Sequence, residues 1–173
     1  LQAIGQIWYR TTEAEYNSYD EEDTRKDVNI YYDFFEYYIN KYQQGRVAFS
    51  KDNFPCYYIR YADILLLKAE ILNEQNNGPT QEAVNLLNQI VERAFGDDTH
   101  NYALANINSY DAFKEALRLE RRKEFFFELK QFFDLKRMGL AKEVLGLEDY
   151  MLVWPIPQEA LDKNPKLTQN PGY

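Results

Sequence analysis

The sequence predicts an all-α fold: a tetratricopeptide-like antiparallel helix pair plus a long C-terminal-half helix, with irregular, loop-rich segments at the N- and C-terminal ends. Three observations carry that expectation. Apolar residues recur at three- and four-residue spacing through Ile59, Ala62, Leu65, Leu66, Ala69 and Leu72, and again through Ala83, Leu86, Leu87, Ile90, Val91 and Ala94. A further apolar series runs from Phe113 through Leu117, Phe125 and Leu129 to Leu135. Elsewhere no sustained period appears, and turn formers cluster. At 173 residues the chain suits one domain or a large piece of one. A globule of that size buries roughly 70% of its unfolded surface and needs neither disulfide nor metal for stability.

Residues 1–55 alternate aromatic clusters with polar runs such as Asp20-Glu21-Glu22-Asp23. The stretch Tyr31 to Tyr38 is rich in strand-favouring residues without clean alternation, which suggests loops, turns and a short hairpin. The first helix begins near Ile59 and stops at Asn76-Asn77-Gly78-Pro79. Thr80 is the next N-cap, its hydroxyl placed to accept from an otherwise unpaired N–H, and Gly96 ends that helix. Ser109 caps the third helical stretch, which is one long helix or two abutting ones ending at Gly139. A short helix follows at Ala141–Leu145. Val153-Trp154-Pro155-Ile156-Pro157 is extended, because proline and the residue before it do not sit in a helix interior. The tail from Asn164-Pro165 to Pro171-Gly172-Tyr173 is turn-forming. The natural division is a loop-rich aromatic segment, 1–55, and a helical region, 56–173.

Composition excludes several function classes. Net charge is −8, from 20 Lys+Arg against 28 Asp+Glu, which argues against nucleic-acid binding. One cysteine, Cys56, precludes an internal disulfide framework and a Cys-based zinc site. One histidine, His100, argues against His-dependent catalysis. No cofactor or resident metal is expected. No run approaches the ~18 apolar residues of a membrane span. The first residues, Leu1 to Gln6, carry no initiator Met and no signal pattern, and the chain reads as mature or truncated.

Three blocks together resemble the SusD/RagB family. Arg60-Tyr61-Ala62-Asp63-Ile64-Leu65-Leu66-Leu67-Lys68-Ala69-Glu70 is similar to its "RYAE-LL-AEA" helix. Glu120-Arg121-Arg122-Lys123-Glu124-Phe125-Phe126-Phe127-Glu128, continuing to Asp134-Leu135-Lys136-Arg137, resembles "ERR-EL-FE---DL-R". Pro155-Ile156-Pro157, Asn164-Pro165 and Gln169-Asn170-Pro171-Gly172-Tyr173 resemble the family's ending. Asp23-Thr24-Arg25 echoes a "D-R" element that precedes the first block. Leu129 stands where the family usually has Gly, favouring a continuous helix, and Gln131 stands where it usually has Arg. The resemblance implies an all-α outer-membrane lipoprotein at the cell surface. It would bind oligosaccharide, or peptide in some branches, and pass it to a TonB-dependent transporter without catalysis. The lipid anchor belongs to upstream chain. A helical-repeat protein-interaction scaffold is a further reading.

Aromatic residues make up 16% of the chain, and 11 of its 15 tyrosines precede residue 62. Sugar C–H faces lie against aromatic rings while nearby polar groups satisfy hydroxyls. Trp8, Tyr9, Tyr16 and Tyr19, with Arg10, Asn17 and Asp20 beside them, are therefore the ligand-binding candidates. Tyr31 to Tyr38 and Phe125, Phe126, Phe127, Phe132 and Phe133 read as packing. Glu120, Glu124 and Glu128 line one helix face at four-residue spacing. Paired carboxylates perform acid/base chemistry in glycoside hydrolysis. The favoured reading here is ion pairing with Arg60, Arg121 and Arg122. The acidic run Asp20–Asp23 lacks the glycine and terminal Glu of a calcium loop and reads as solvated surface.

Overall fold

A computed structural model describes residues 10–41, 46–47, 51–52 and 57–173. In chain order the elements are β1 (Arg10–Thr11), α1 (Glu13–Tyr16), α2 (Arg25–Asn29), β2 (Ile30–Asp33), β3 (Glu36–Ile39), β4 (Arg46–Val47), β5 (Lys51–Asp52), α3 (Tyr61–Asn76), α4 (Gln81–Phe95), α5 (Tyr110–Glu124), α6 (Gln131–Arg137), α7 (Ala141–Leu145) and α8 (Gln158–Lys163). Single 3-10 turns lie at Leu104–Asn106 and Asp149–Leu152. Contacts divide the chain into Leu1–Glu128 and Leu129–Tyr173.

The first unit is built on α3, α4 and α5, which pack on one another. Its core holds Leu66, Ala69, Ala83, Val84, Leu87, Phe113 and Leu117, all essentially inaccessible to solvent. Ala69 and Ala83 permit close approach of α3 and α4, and the connector at 77–80 turns the chain back. Each local signal at the helix ends does what its chemistry suggests. Asn77 adopts a left-handed conformation (φ 48°) after α3, and the Gly78 N–H donates to Asn73 O at 3.0 Å. Thr80 Oγ1 accepts from the Ala83 N–H at 3.1 Å, and Ser109 Oγ from that of Ala112 at 3.1 Å. Gly96, at φ 86°, closes α4.

The third helical stretch is broken. Helix α5 ends at Glu124, and turns run through residues 125–129 before α6 begins. Leu129 does not continue a helix; it sits at φ 59°, the left-handed conformation that glycine adopts without strain, and Phe127 at φ 58°. Leu129 is 81% exposed, so its side chain recovers little through burial. The phenylalanines here are also not uniformly core. Phe125 is buried, whereas Phe133 is 63% exposed and meets Phe132 edge-on at 5.6 Å.

The aromatic segment is more regular than loops. Strands β1, β3 and β2 form an antiparallel sheet in that order. The β2–β3 register pairs Ile30 with Ile39, Tyr31 with Tyr38, Tyr32 with Tyr37 and Asp33 with Glu36. Phe34 and Phe35 form the two-residue turn, both at positive φ (47° and 65°), as in a type I′ hairpin.

In the second unit, α6 contacts α7. The extended segment after the second 3-10 turn is held by the last residues of the chain. Gln169 accepts from the Ile156 N–H at 2.8 Å and donates to Ile156 O at 2.9 Å, imitating a strand partner. Asn170 donates to Trp154 O at 2.7 Å and the Tyr173 hydroxyl to Val153 O at 2.9 Å. At Gly172 (φ 95°) an added Cβ would meet Tyr150 Cβ at 2.4 Å, so no other residue fits. The short helix α8 was not expected from sequence.

A buried ionic cluster joins the aromatic segment to the helices of the first unit. Arg25 is held by Asp23 through Nε (2.8 Å) and Nη2 (2.7 Å) and reaches Glu120 at 3.0 Å. Arg60 binds Glu124 at 2.9 Å and Glu128 at 2.7 Å. Lys41 meets Glu128 at 2.6 Å, Arg93 meets Glu124, and Arg121 meets Asp63 at 3.0 Å. Among the described residues, five cations (Arg25, Lys41, Arg60, Arg93, Arg121) face five anions (Asp23, Asp63, Glu120, Glu124, Glu128). The rings follow the charges: the guanidinium carbons of Arg60 and Arg121 each lie 4.9 Å from the Phe125 centroid. Burial pushes the Glu124 carboxyl up, but Arg93, Arg60 and Arg25 outweigh it and hold the group below its ordinary value. Arg122, expected to join this cluster, pairs instead with Glu15.

Two outcomes are expected. Leu129→Gly relieves roughly 1–2 kcal/mol of left-handed strain against about 0.5–1 kcal/mol of added chain entropy. It should therefore raise the melting temperature by about 1–3 °C, measured by thermal denaturation. Glu124→Gln leaves the arginines under-compensated and should cost about 3 kcal/mol at pH 7. Because folded Glu124 binds its proton less tightly than the unfolded group, its stabilisation is complete above the ordinary value of 4.5 and is lost as pH falls through the lower folded value. Denaturant midpoints against pH should show that acid-side loss in the native chain and a weaker one in the variant.

Candidate functional site

The face of the small sheet that carries Tyr32 and Tyr37 forms a run of rings. These two are opposite each other across the β2–β3 ladder, with centroids 4.8 Å apart. Tyr16, at the end of α1, continues the run, 5.1 Å from Tyr37. Thr12 positions α1 by accepting the Glu15 N–H at 3.1 Å. Lys26 Nζ lies 4.4 Å from the Tyr16 centroid and pairs with Glu21 at 2.5 Å, placing a cation beside the rings. Tyr32 is exposed, and Tyr16 and Tyr37 are half-buried, so edges and faces remain open to solvent. At the hairpin tip, Phe34 is 67% and Phe35 91% exposed. Two bulky residues at positive φ and in water gain nothing from burial, and strain of this kind concentrates at functional sites.

The four residues singled out from sequence have different fates. Trp8 and Tyr9 lie outside the described residues, immediately before β1. Tyr16 is in the ring run. Tyr19 is not on the surface: it is 3% exposed, accepts from Asn29 Nδ2 at 3.0 Å and donates to Lys123 O at 3.4 Å. Burial raises the Tyr19 hydroxyl well above the ordinary tyrosine value, so it stays a neutral packing group that ties this segment to α5. Tyr32, Tyr37, Phe34 and Phe35 were read as packing, yet Tyr32, Phe34 and Phe35 are exposed and Tyr37 is only half-buried. A signal was present in the order Ile-Tyr-Tyr-Asp, Phe-Phe, Glu-Tyr-Tyr-Ile, which mirrors itself about a two-residue centre as a hairpin's strands do.

The carboxylates offer no comparable site. Glu120 and Glu124 are buried at the end of α5, and Glu128 lies in the turns beyond it rather than on the same helix. All three are spent on cations. Tyr102 donates to Glu120 at 3.3 Å, and burial followed by the charge of Glu120 pushes its own hydroxyl up. A neighbouring groove of about 310 Å³ is lined by Arg60, Tyr61, Leu65, Gln89, Ile90 and Arg93. Arg60 is paired with Glu124 and Glu128, and Arg93 with Glu124, so both guanidiniums are already engaged by carboxylates.

Comparison with known proteins agrees with this architecture. A family model described as the SusD family matches residues 5–152 and 147–173. SusD-like protein P38 of Formosa agariphila is 32% identical over 176 residues, covering 90% of this chain and 35% of that protein. SusD-like protein P2 of the same organism is 37% identical over 130 residues, covering 66% and 25%. The crystal structure of a SusD superfamily protein from Parabacteroides distasonis superposes with a TM-score of 0.77 at 24% identity, over 95% of this chain and 42% of that one. B. fragilis NanU superposes at 0.67 with 28% identity, over 95% and 39%. The chain thus spans about a third of the length of the relatives whose sequences it matches. With the family model matching nearly the whole sequence, and with the break after α5 and the Gln169–Ile156 pairing falling in the motif blocks, the chain belongs to the SusD family.

Proposed function

We propose that this chain is part of a surface nutrient-binding protein that captures an oligosaccharide for import through a TonB-dependent outer-membrane transporter, making and breaking no bond. The observation that carries the reading is the Tyr16–Tyr37–Tyr32 ring run with Phe34 and Phe35 beside it. Pyranose C–H faces stack on such rings, and the exposed carboxylate of Glu21, held by the buried Lys26, supplies a hydrogen-bonding group at the edge. Trp8 and Tyr9, which precede β1 in the sequence and lie outside the described residues, stay proposed as ligand contacts on the sequence alone. Tyr19 leaves it, because it is buried. Non-catalytic action fits the carboxylates, whose pairing with cations leaves none poised to move a proton onto a leaving group. The whole protein would sit at the outer-membrane surface on a lipid anchor. No described helix is long and apolar enough to cross a membrane.

Calorimetric titration with a panel of oligosaccharides tests the reading. At least one glycan should bind saturably. Tyr37→Ala and Trp8→Ala should each weaken it about tenfold, an aromatic contact's usual worth. Binding of peptides in place of glycans would move the assignment to the peptide branch. Hydrolysis of any glycoside would overturn the non-catalytic reading.

A further inference from the structure

We infer that the Tyr16–Tyr37–Tyr32 surface selects oligosaccharides carrying a protonated amine, the free amino group of a hexosamine unit, and turns away those bearing carboxylate or sulfate. The inference rests on the glycan-capture reading above and names the ligand class of the same surface. A tyrosine ring presents a negative face, so an ammonium placed over it is attracted and an anion repelled. The fold itself makes that contact once. Lys26 Nζ sits 4.4 Å from the Tyr16 centroid, on a side chain only 4% exposed. That ammonium is spent within the protein, because Glu21 holds it at 2.5 Å. Tyr37 and Tyr32 continue the row of rings at centroid separations of 5.1 and 4.8 Å, and among the described residues no cation covers either of them.

Carboxylates stand around this row in excess. Glu13 opens α1, the helix that ends at Tyr16, and it is close enough to the Tyr37 hydroxyl that its charge, after burial, pushes that hydroxyl up. Glu13 is exposed and makes no ion pair among the described residues. Asp27, next to Lys26 in sequence, is exposed and without an ion pair among them too. Glu21 keeps its side chain in water, 88% exposed, although one oxygen meets Lys26. Three carboxylates therefore surround one ammonium that is already engaged. The other charges of these elements are balanced or turned away. Glu15 is paired with Arg122. Arg10 is paired with Glu36, and Glu36 lies on the opposite face of the sheet from Tyr37, since neighbouring strand residues alternate. A ligand ammonium would find ring faces and carboxylates together, the combination that holds organic cations. A carboxylate or sulfate there would meet the same ring faces and the same excess of negative charge. The chain as a whole, at net charge −8, adds a field of that sign.

The test is calorimetric titration at low ionic strength and about pH 5.5, where a sugar amine is protonated and Asp and Glu side chains stay largely ionised. The probes are a glucosamine oligomer, its fully N-acetylated counterpart and a galacturonic acid oligomer, all of one length. The glucosamine oligomer should bind about tenfold more tightly than the acetylated one, and the galacturonic acid oligomer should bind least. Added salt should remove most of that preference. In the double variant Glu13→Gln, Asp27→Asn the ratio should fall to about threefold or less. Both side chains are exposed, and an unchanged melting temperature confirms that the variant folds. Equal binding of the glucosamine and acetylated oligomers, a ratio unchanged in the double variant, or tightest binding of the galacturonic acid oligomer would each overturn the inference and leave glycan capture standing. Failure of every oligosaccharide to bind would overturn the capture reading and the inference together.

Discussion

The first unit depends on a buried exchange of charge. Removing ions from water costs several kcal/mol each, and the cost is recovered only where every charge finds a well-placed opposite. Glu124 meets that condition by facing Arg25, Arg60 and Arg93 at once, from α2, the entry to α3 and the end of α4. Three segments distant in sequence are thereby held at one point on α5. Apolar packing of α3, α4 and α5 brings the helices together without specifying how the aromatic segment lies on them. The ion pairs supply that specification, and Tyr19 and Asn29, both bonded to Lys123 O, extend it toward the sheet.

The sheet is thus carried on a rigid base, and its exposed rings are free to serve another purpose. Their faces are not consumed by the core, because Ile30 and Tyr38 perform the anchoring from within the same two strands. Division of labour within one hairpin explains how a segment so rich in tyrosine is both well seated and open. The strained Phe34–Phe35 turn is tolerable only because the eight flanking residues pair in strict mirror register.

What was legible in the sequence was local. Thr80, Ser109 and Gly96 act on backbone groups within a turn of themselves, so composition and spacing sufficed to place them. The family-like blocks located the charged residues, and Arg60 was correctly matched to the carboxylates. What remained hidden was set by partners far away. Tyr19 looked like its neighbours until Asn29 and Lys123 claimed its hydroxyl. Leu129 has a good helix propensity, yet it sits just beyond residues fixed by Arg60, Lys41 and Phe125, where tertiary ion pairing overrides propensity. The short hairpin was legible, but its register and its exposed rings were not, because the order of the segment is mirror-symmetric rather than alternating.

The cluster also bears on how the chain acquires its structure. Asp23 and Arg25 are two residues apart, so their pair forms from local motion alone. The bond from Arg25 to Glu120 spans 95 residues. Closing a loop of that size adds little free energy over a shorter one, since the cost grows only logarithmically. Contacts of such long range nonetheless slow folding and are made late. Until then the arginines and glutamates of this seam stay hydrated. An intermediate that has collapsed its helices but not yet seated the aromatic segment presents charge, rather than bare hydrocarbon, along the junction, and like-minded encounters between unfinished chains are correspondingly weak.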